Sequence, residues 1–135
     1  MSIAVTGQRG GKVSEDLVVP VDRLREALAG TAEIAGRHGL ESCSWGHAGD
    51  GNLHATCLVD PSNESELERA AEAAEALLEL ATSLGSSVSG ELGVGLVKRG
   101  QLSRQWRPAA VALHAAIKQV FDPDNLLNPG KKAAN

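Results

Sequence analysis

Two histidines, His47 and His54, stand at the ends of the nonapeptide GHAGDGNLH, residues 46–54, and a third potential donor, Glu91, sits among glycines in SGELGVG, residues 89–95. Asp50-Gly51 is a strong turn signal, so the flanking blocks 40–47 and 53–59 read as a β-hairpin. If His47 and His54 face each other across that hairpin, their Cβ atoms lie about 5 Å apart, close enough to share a cation. Glu91 would complete a set of two imidazoles and one carboxylate, leaving positions open for water or substrate. The same residues also read as a surface hairpin and a solvated turn glutamate, and residue types alone leave both open. The expected register places Cys43 opposite Leu58 and Cys57 opposite Ser44, so the two thiols face opposite sides of the sheet and cannot bridge.

Three further positions carry polar groups suited to a small ligand. Lys12, in GKVSED, is a candidate anion-binding charge. Asn52 is placed to hold the turn or to meet a substrate. Asn128, in FDPDNLLNPGK, residues 121–131, belongs to a rigid turn that either meets a cofactor or caps a helix. Other chemistries lack their signatures. GQRGGKV misses the phosphate-loop spacing, GELGVG does not satisfy GxGxxG, and no HExxH or GxSxG occurs.

The elements that must position these groups follow from periodicity. Residues 1–19 read as an irregular lead-in ending at Pro20. Val21, Leu24, Leu28, Ala32 and Ala35 recur at helical spacing and predict a helix of about 17 residues, closed by Gly36 and Gly39. After the hairpin, Asn63 with Glu66 has the form of a capping box, and Leu67, Ala71, Ala74, Leu78 and Ala81 predict a second helix to about Leu84, its glutamates forming a solvated face. Ser87 to Ser89 read as a short strand, and Pro108 opens a last helix that Asp122-Pro123 ends. The expectation is a single α+β domain over residues 1–135, a ferredoxin-like antiparallel sheet with helices on one face, plus a C-terminal helix and the NPGK turn.

Composition bounds the function. The 135 residues, 42% hydrophobic and 22% charged, suit a globular domain, and a net charge of −4 gives no electrostatic footprint for nucleic acid. No apolar run reaches the roughly 20 residues of a membrane helix. The absence of a charged segment followed by an apolar block at the N-terminus points to a cytoplasmic setting. Trp45, Trp106 and Phe121 are the only aromatic residues, a poverty that fits a chain leaning on a partner domain.

In this order, KVSEDLVVP, GHAGDGNLH, SGELGVG and DPDNLLNPGK resemble the C-terminal domain of FAD-linked oxidases related to vanillyl-alcohol oxidase, the group of the glycolate oxidase D-subunit, D-lactate dehydrogenase and D-2-hydroxyglutarate dehydrogenase. The resemblance implies an FAD-binding domain or subunit as partner, with this part capping the flavin ring and shaping a pocket for a small 2-hydroxy acid. It implies that His47, His54 and Glu91 bind a divalent metal, Zn or Mn, that Lys12 and Asn52 contact the substrate carboxylate and hydroxyl, and that Asn128 faces the flavin side. One departure stands out: the family's SGEHG reads SGELG, so Leu92 occupies the position of the family's general base, and an isobutyl group cannot take a proton. The implied activity is therefore either impaired dehydrogenation or a non-catalytic module that keeps the fold.

Overall fold

Alternation governs the first element. In GKVSEDLV, Lys12, Ser14 and Asp16 point to one side and Val13, Glu15 and Leu17 to the other, and the computed structural model, which describes residues 7–96 and 98–131, folds this segment as strand β1, Gly11–Val18. A 3-10 turn, Val21–Arg23, leads into helix α1, Leu24–Arg37, then strands β2, Glu41–His47, and β3, Asn52–Val59, and helix α2, Glu64–Ser83. Helices α3, Arg99–Gln105, and α4, Pro108–Phe121, follow. The described residues form two compact units, one ending at Glu91 and the other beginning at Leu92.

The first unit is a three-stranded antiparallel sheet in the order β1-β3-β2. Ser87 adds an isolated antiparallel bridge to Val18 on the outer side of β1. The β-α-β-β-α order with this strand remnant is the α+β, ferredoxin-like arrangement expected, and the predicted strand at 87–89 is reduced to that bridge. One sheet face, carrying Leu17, Ala55, Cys57 and Val59, packs on Ile34 and Ala35 of α1 and on Ala70, Ala73, Leu77 and Ala81 of α2. Burial of this apolar surface is the main stabilising term. The opposite face carries Lys12, Asp16, His47, Asn52 and His54, because antiparallel partners share a side.

Several expectations are corrected. Residues 11–18 are a strand and not an irregular lead-in; residues 1–6 of that segment lie outside the described residues. The buried stripe of α1 is Ala27, Thr31, Ile34 and Ala35, while Val21 and Leu28 are exposed. Close packing at Gly30 selects it: a Cβ there would meet Leu80 Cδ2 at 2.5 Å, so the helices approach over the glycine. In α2 the buried set is Ala70, Ala73, Leu77, Leu78 and Ala81, one stripe over from Leu67, Ala71 and Ala74, since an alanine-rich helix offers neighbouring stripes of similar polarity.

The capping box is half made. Asn63 Oδ1 accepts from Glu66 N at 3.2 Å, but the Glu66 carboxylate accepts from Asp60 N at 2.8 Å and pairs with Arg9 at 3.0 and 3.1 Å, so Glu66 belongs to a partly buried network and not to a solvated face.

In the second unit, Pro108 opens α4 as expected and Asp122 ends it, accepting hydrogen bonds from Leu126 N and Leu127 N, both at 2.9 Å, and pairing with Lys118. No residue of α4 is buried; Leu113, Ile117, Val120 and Phe121 form an exposed apolar stripe at helical spacing. Among the described residues no helix is long and apolar enough to cross a membrane.

Candidate metal and substrate site

The hairpin turn is built by its own side chains. Asp50 N donates to His47 O at 3.1 Å, Asp50 Oδ1 accepts from Asn52 N at 3.0 Å, and Gly51, at φ 80°, supplies the left-handed residue that closes the turn. The turn is therefore four residues long, and β3 begins at Asn52. This corrects the expected register by two residues: His47 pairs with Asn52, Trp45 with His54, Cys43 with Thr56 and Cys57 with Ser42. A shift of two preserves the faces. His47 and His54 become diagonal neighbours on one side, ring centroids 6.5 Å apart, and the cysteines still face opposite sides.

Over these histidines lies the segment that follows the Ser87 bridge. His54 Nε2 is 3.0 Å from Glu91 Oε1, and His47 Nε2 is 3.8 Å from Glu91 Oε2. One donor atom from each of His47, His54 and Glu91 falls within 4.8 Å of the others. Donors about 2.0–2.1 Å from a tetrahedral zinc ion sit roughly 3.3 Å from one another. The His54–Glu91 separation of 3.0 Å lies near that value, whereas the three donor atoms together are held only within 4.8 Å, so the donor types suit a divalent cation and the spacing is looser than a bound ion would impose. His54 is largely buried, its side chain 12% exposed, whereas His47 and Glu91 reach solvent.

Asn52 is buried beside this cluster. Its Nδ2 donates to Asp16 Oδ1 at 2.9 Å, which fixes the orientation of the amide, and its buried Oδ1 has no hydrogen-bond partner among the described residues. A buried acceptor left in that state costs about 1–3 kcal/mol. Lys12 stands four residues before Asp16 on the same face of β1, its ammonium over the Trp45 ring at 5.0 Å from the centroid, and the Trp45 ring is 6.0 Å from that of His54. Burial pushes the Cys43 thiol up from its ordinary pKa and the nearby Lys12 charge opposes the shift; burial also raises Cys57. Asn128, at φ 50°, lies in the second unit, where it lines a cavity of about 310 Å³ with His114, Lys118, Asp122 and Lys131. Leu92 is 75% exposed.

Sequence reasoning missed Asp16 and Trp45. Asp16 was hidden in the polar run Ser14-Glu15-Asp16; the alternation of Lys12, Ser14 and Asp16 with Val13 and Leu17 was the available signal. Trp45 joins the site only through its pairing with His54.

The family model for FAD linked oxidases, C-terminal domain, matches residues 1–132. The chain belongs to this family. It is 38% identical over 122 residues to the glycolate oxidase subunit GlcD of Bacillus subtilis, covering 90% of the chain and 26% of that protein. With the GlcD of Escherichia coli strain K12 it shares 37% over 126 residues, 90% of the chain and 25% of the relative. With a D-lactate dehydrogenase of Archaeoglobus fulgidus it shares 41% over 116 residues, 86% and 25%. The chain thus spans about a quarter of the length of the curated relatives it matches. Membership accounts for the order in which this FAD-linked oxidase domain carries its motifs.

Proposed function

We propose that this domain is the substrate- and metal-binding part of an FAD-dependent oxidoreductase acting on a small 2-hydroxy acid of the glycolate or D-lactate type, working with an FAD-binding domain or subunit. The observation that carries the reading is the convergence of His47, His54 and Glu91 from a hairpin and a distant segment onto one point. A divalent ion held there, Zn or Mn, would act as a Lewis acid on the 2-hydroxyl and ease loss of its proton before hydride leaves for the flavin. The chain's own groups divide the remaining work. Asn52 Oδ1 is a buried acceptor suited to a substrate hydroxyl, and the Lys12 ammonium supplies positive charge for the carboxylate. Asn128 is assigned to the flavin side, and the exposed stripe Leu113, Ile117, Val120 and Phe121 on α4 is a surface such as a partner domain covers.

A second reading rests on Leu92. Without an imidazole at that position the domain serves as a non-catalytic module that keeps the fold and the cation. Loss of a general base costs about 10²- to 10⁴-fold in rate. The two readings part when the chain is combined with a matching flavin domain and flavin bleaching is followed anaerobically with glycolate or D-lactate. Slow bleaching, accelerated by Leu92→His, supports the oxidoreductase; no bleaching with either chain supports the module.

A further inference from the structure

Asp16 is 2% exposed, on the same sheet face as the histidines, and the turnover chemistry proposed above gives it no task. Its carboxylate accepts hydrogen bonds from two parts of the first unit, strand β3 and residues 89–91. Oδ1 accepts from Asn52 Nδ2 at 2.9 Å; Oδ2 accepts from Ser89 Oγ at 3.1 Å and from the backbone N of Glu91 at 2.8 Å. Oδ1 also lies 3.8 Å from His54 Nδ1, opposite the ring nitrogen that meets Glu91. Asp16 pairs directly with His54 across β1 and β3, which sets this approach by backbone register. Gly90 lets the segment descend: a Cβ there would meet Asn52 Nδ2 at 2.2 Å and Asp16 Oδ1 at 2.6 Å.

We propose that Asp16 is the positioning residue of the cation site: its buried carboxylate clamps residues 89–91 by Ser89 and the Glu91 backbone and orients the His54 ring, so that Glu91 and both imidazoles converge. The proposal rests on the metal reading above and adds what holds the ligands in place. Two of the three ligands lean on Asp16, Glu91 through its own backbone N–H and His54 through the negative charge 3.8 Å from Nδ1, which is beyond hydrogen-bond range but electrostatically favours the proton on that nitrogen and so leaves Nε2 for a metal. Buried charge of this kind is tolerated because it accepts several hydrogen bonds at once.

The test is Zn²⁺ affinity of the full chain by competition with a chromophoric chelator, and the visible spectrum of its Co²⁺ form, for wild type, Asp16→Asn and Ser89→Ala. Asn keeps the size of Asp but turns an NH₂ toward groups that are themselves donors. Removing such a supporting carboxylate costs about 10- to 100-fold in metal affinity. Asp16→Asn is expected to bind Zn²⁺ that much more weakly and, at saturating Co²⁺, to show altered d–d bands, a signature that lowered fold stability alone would not change. Ser89→Ala, which removes the Ser89 bond alone, is expected to show a smaller loss in the same direction, and it decides the matter if Asp16→Asn does not fold. Wild-type affinity and spectrum in the folded variants would overturn the positioning role while leaving the metal reading standing. Failure of the wild type to bind Zn²⁺ or Co²⁺ would overturn both.

Discussion

Replacing Gly90 by alanine probes the closest approach in the site. Gly90 lies outside the left-handed region of backbone space, so alanine adds no conformational strain, only a methyl group. That methyl would meet Asn52 Nδ2 at 2.2 Å and Asp16 Oδ1 at 2.6 Å, against the 3.4 Å at which ordinary contact begins. Asn52 and Asp16 are 5% and 2% exposed and sit in paired strands, so residues 89–91 must retreat by about 1 Å instead. A retreat of that size carries the Glu91 N to Asp16 Oδ2 bond, 2.8 Å at present, beyond hydrogen-bonding range and weakens the Ser89 bond. Hydrogen bonds to a charged group contribute about 1.5–3 kcal/mol each. Because water reaches the displaced segment and recovers part of this, the expected loss is about 2–3 kcal/mol. At about 3–4 °C per kcal/mol for a chain of this length, Tm should fall by about 6–12 °C in thermal denaturation followed by circular dichroism. Gly36→Ala is the control, since its Cβ would meet nothing within 4 Å and alanine favours a helix; its Tm should stay level or rise slightly. A Gly90→Ala chain melting with the wild type would refute the close approach and the clamp built on it.

Leu77, 1% exposed in the core, and Leu113, 63% exposed on α4, should separate cleanly: Leu77→Ala should cost about 2.7–5 kcal/mol in denaturant unfolding and Leu113→Ala less than about 0.5, and equal losses would contradict the assignment of the core. Native protein should react through Cys43 alone with a thiol reagent, because Cys57 is 1% exposed on the packed face, and both should react in denaturant. Since Cys43 is raised above the ordinary thiol range, its reaction should accelerate as pH climbs through that raised value; Lys12→Ala, removing the charge that favours the thiolate, should slow it at a given pH.

The hairpin, the fourth helix and the trio of candidate ligands were legible because each rests on local chemistry: Asp50-Gly51 at a turn, Pro108 and Asp122 at helix ends, and histidines and a glutamate among glycines. Parity carried more than register. By sequence Asn52 belongs to the turn, but the Asp50 side chain closes the loop before it and Asn52 enters the ladder, and the resulting slip of two keeps every side chain on its face. Strand β1 was hidden because Ser14, Glu15 and Asp16 look like a loop when read alone; they form a strand because β3 supplies hydrogen-bond partners along their whole length. Helix α3 carries one buried anchor, Leu102, too little to leave a periodic trace. The buried stripe of α1 was displaced because propensity marks apolar residues, whereas the approach of α2 over Gly30 decides which of them are covered.

A single cation gripped by His47, His54 and Glu91 would be retained by the folded chain. Equilibrium dialysis against Zn²⁺ with metal analysis tests it most directly: about one ion per wild-type chain, falling to background in His54→Ala and in Glu91→Ala, is the predicted result. A wild-type chain that retains no more Zn²⁺ or Mn²⁺ than the His54→Ala chain would contradict it.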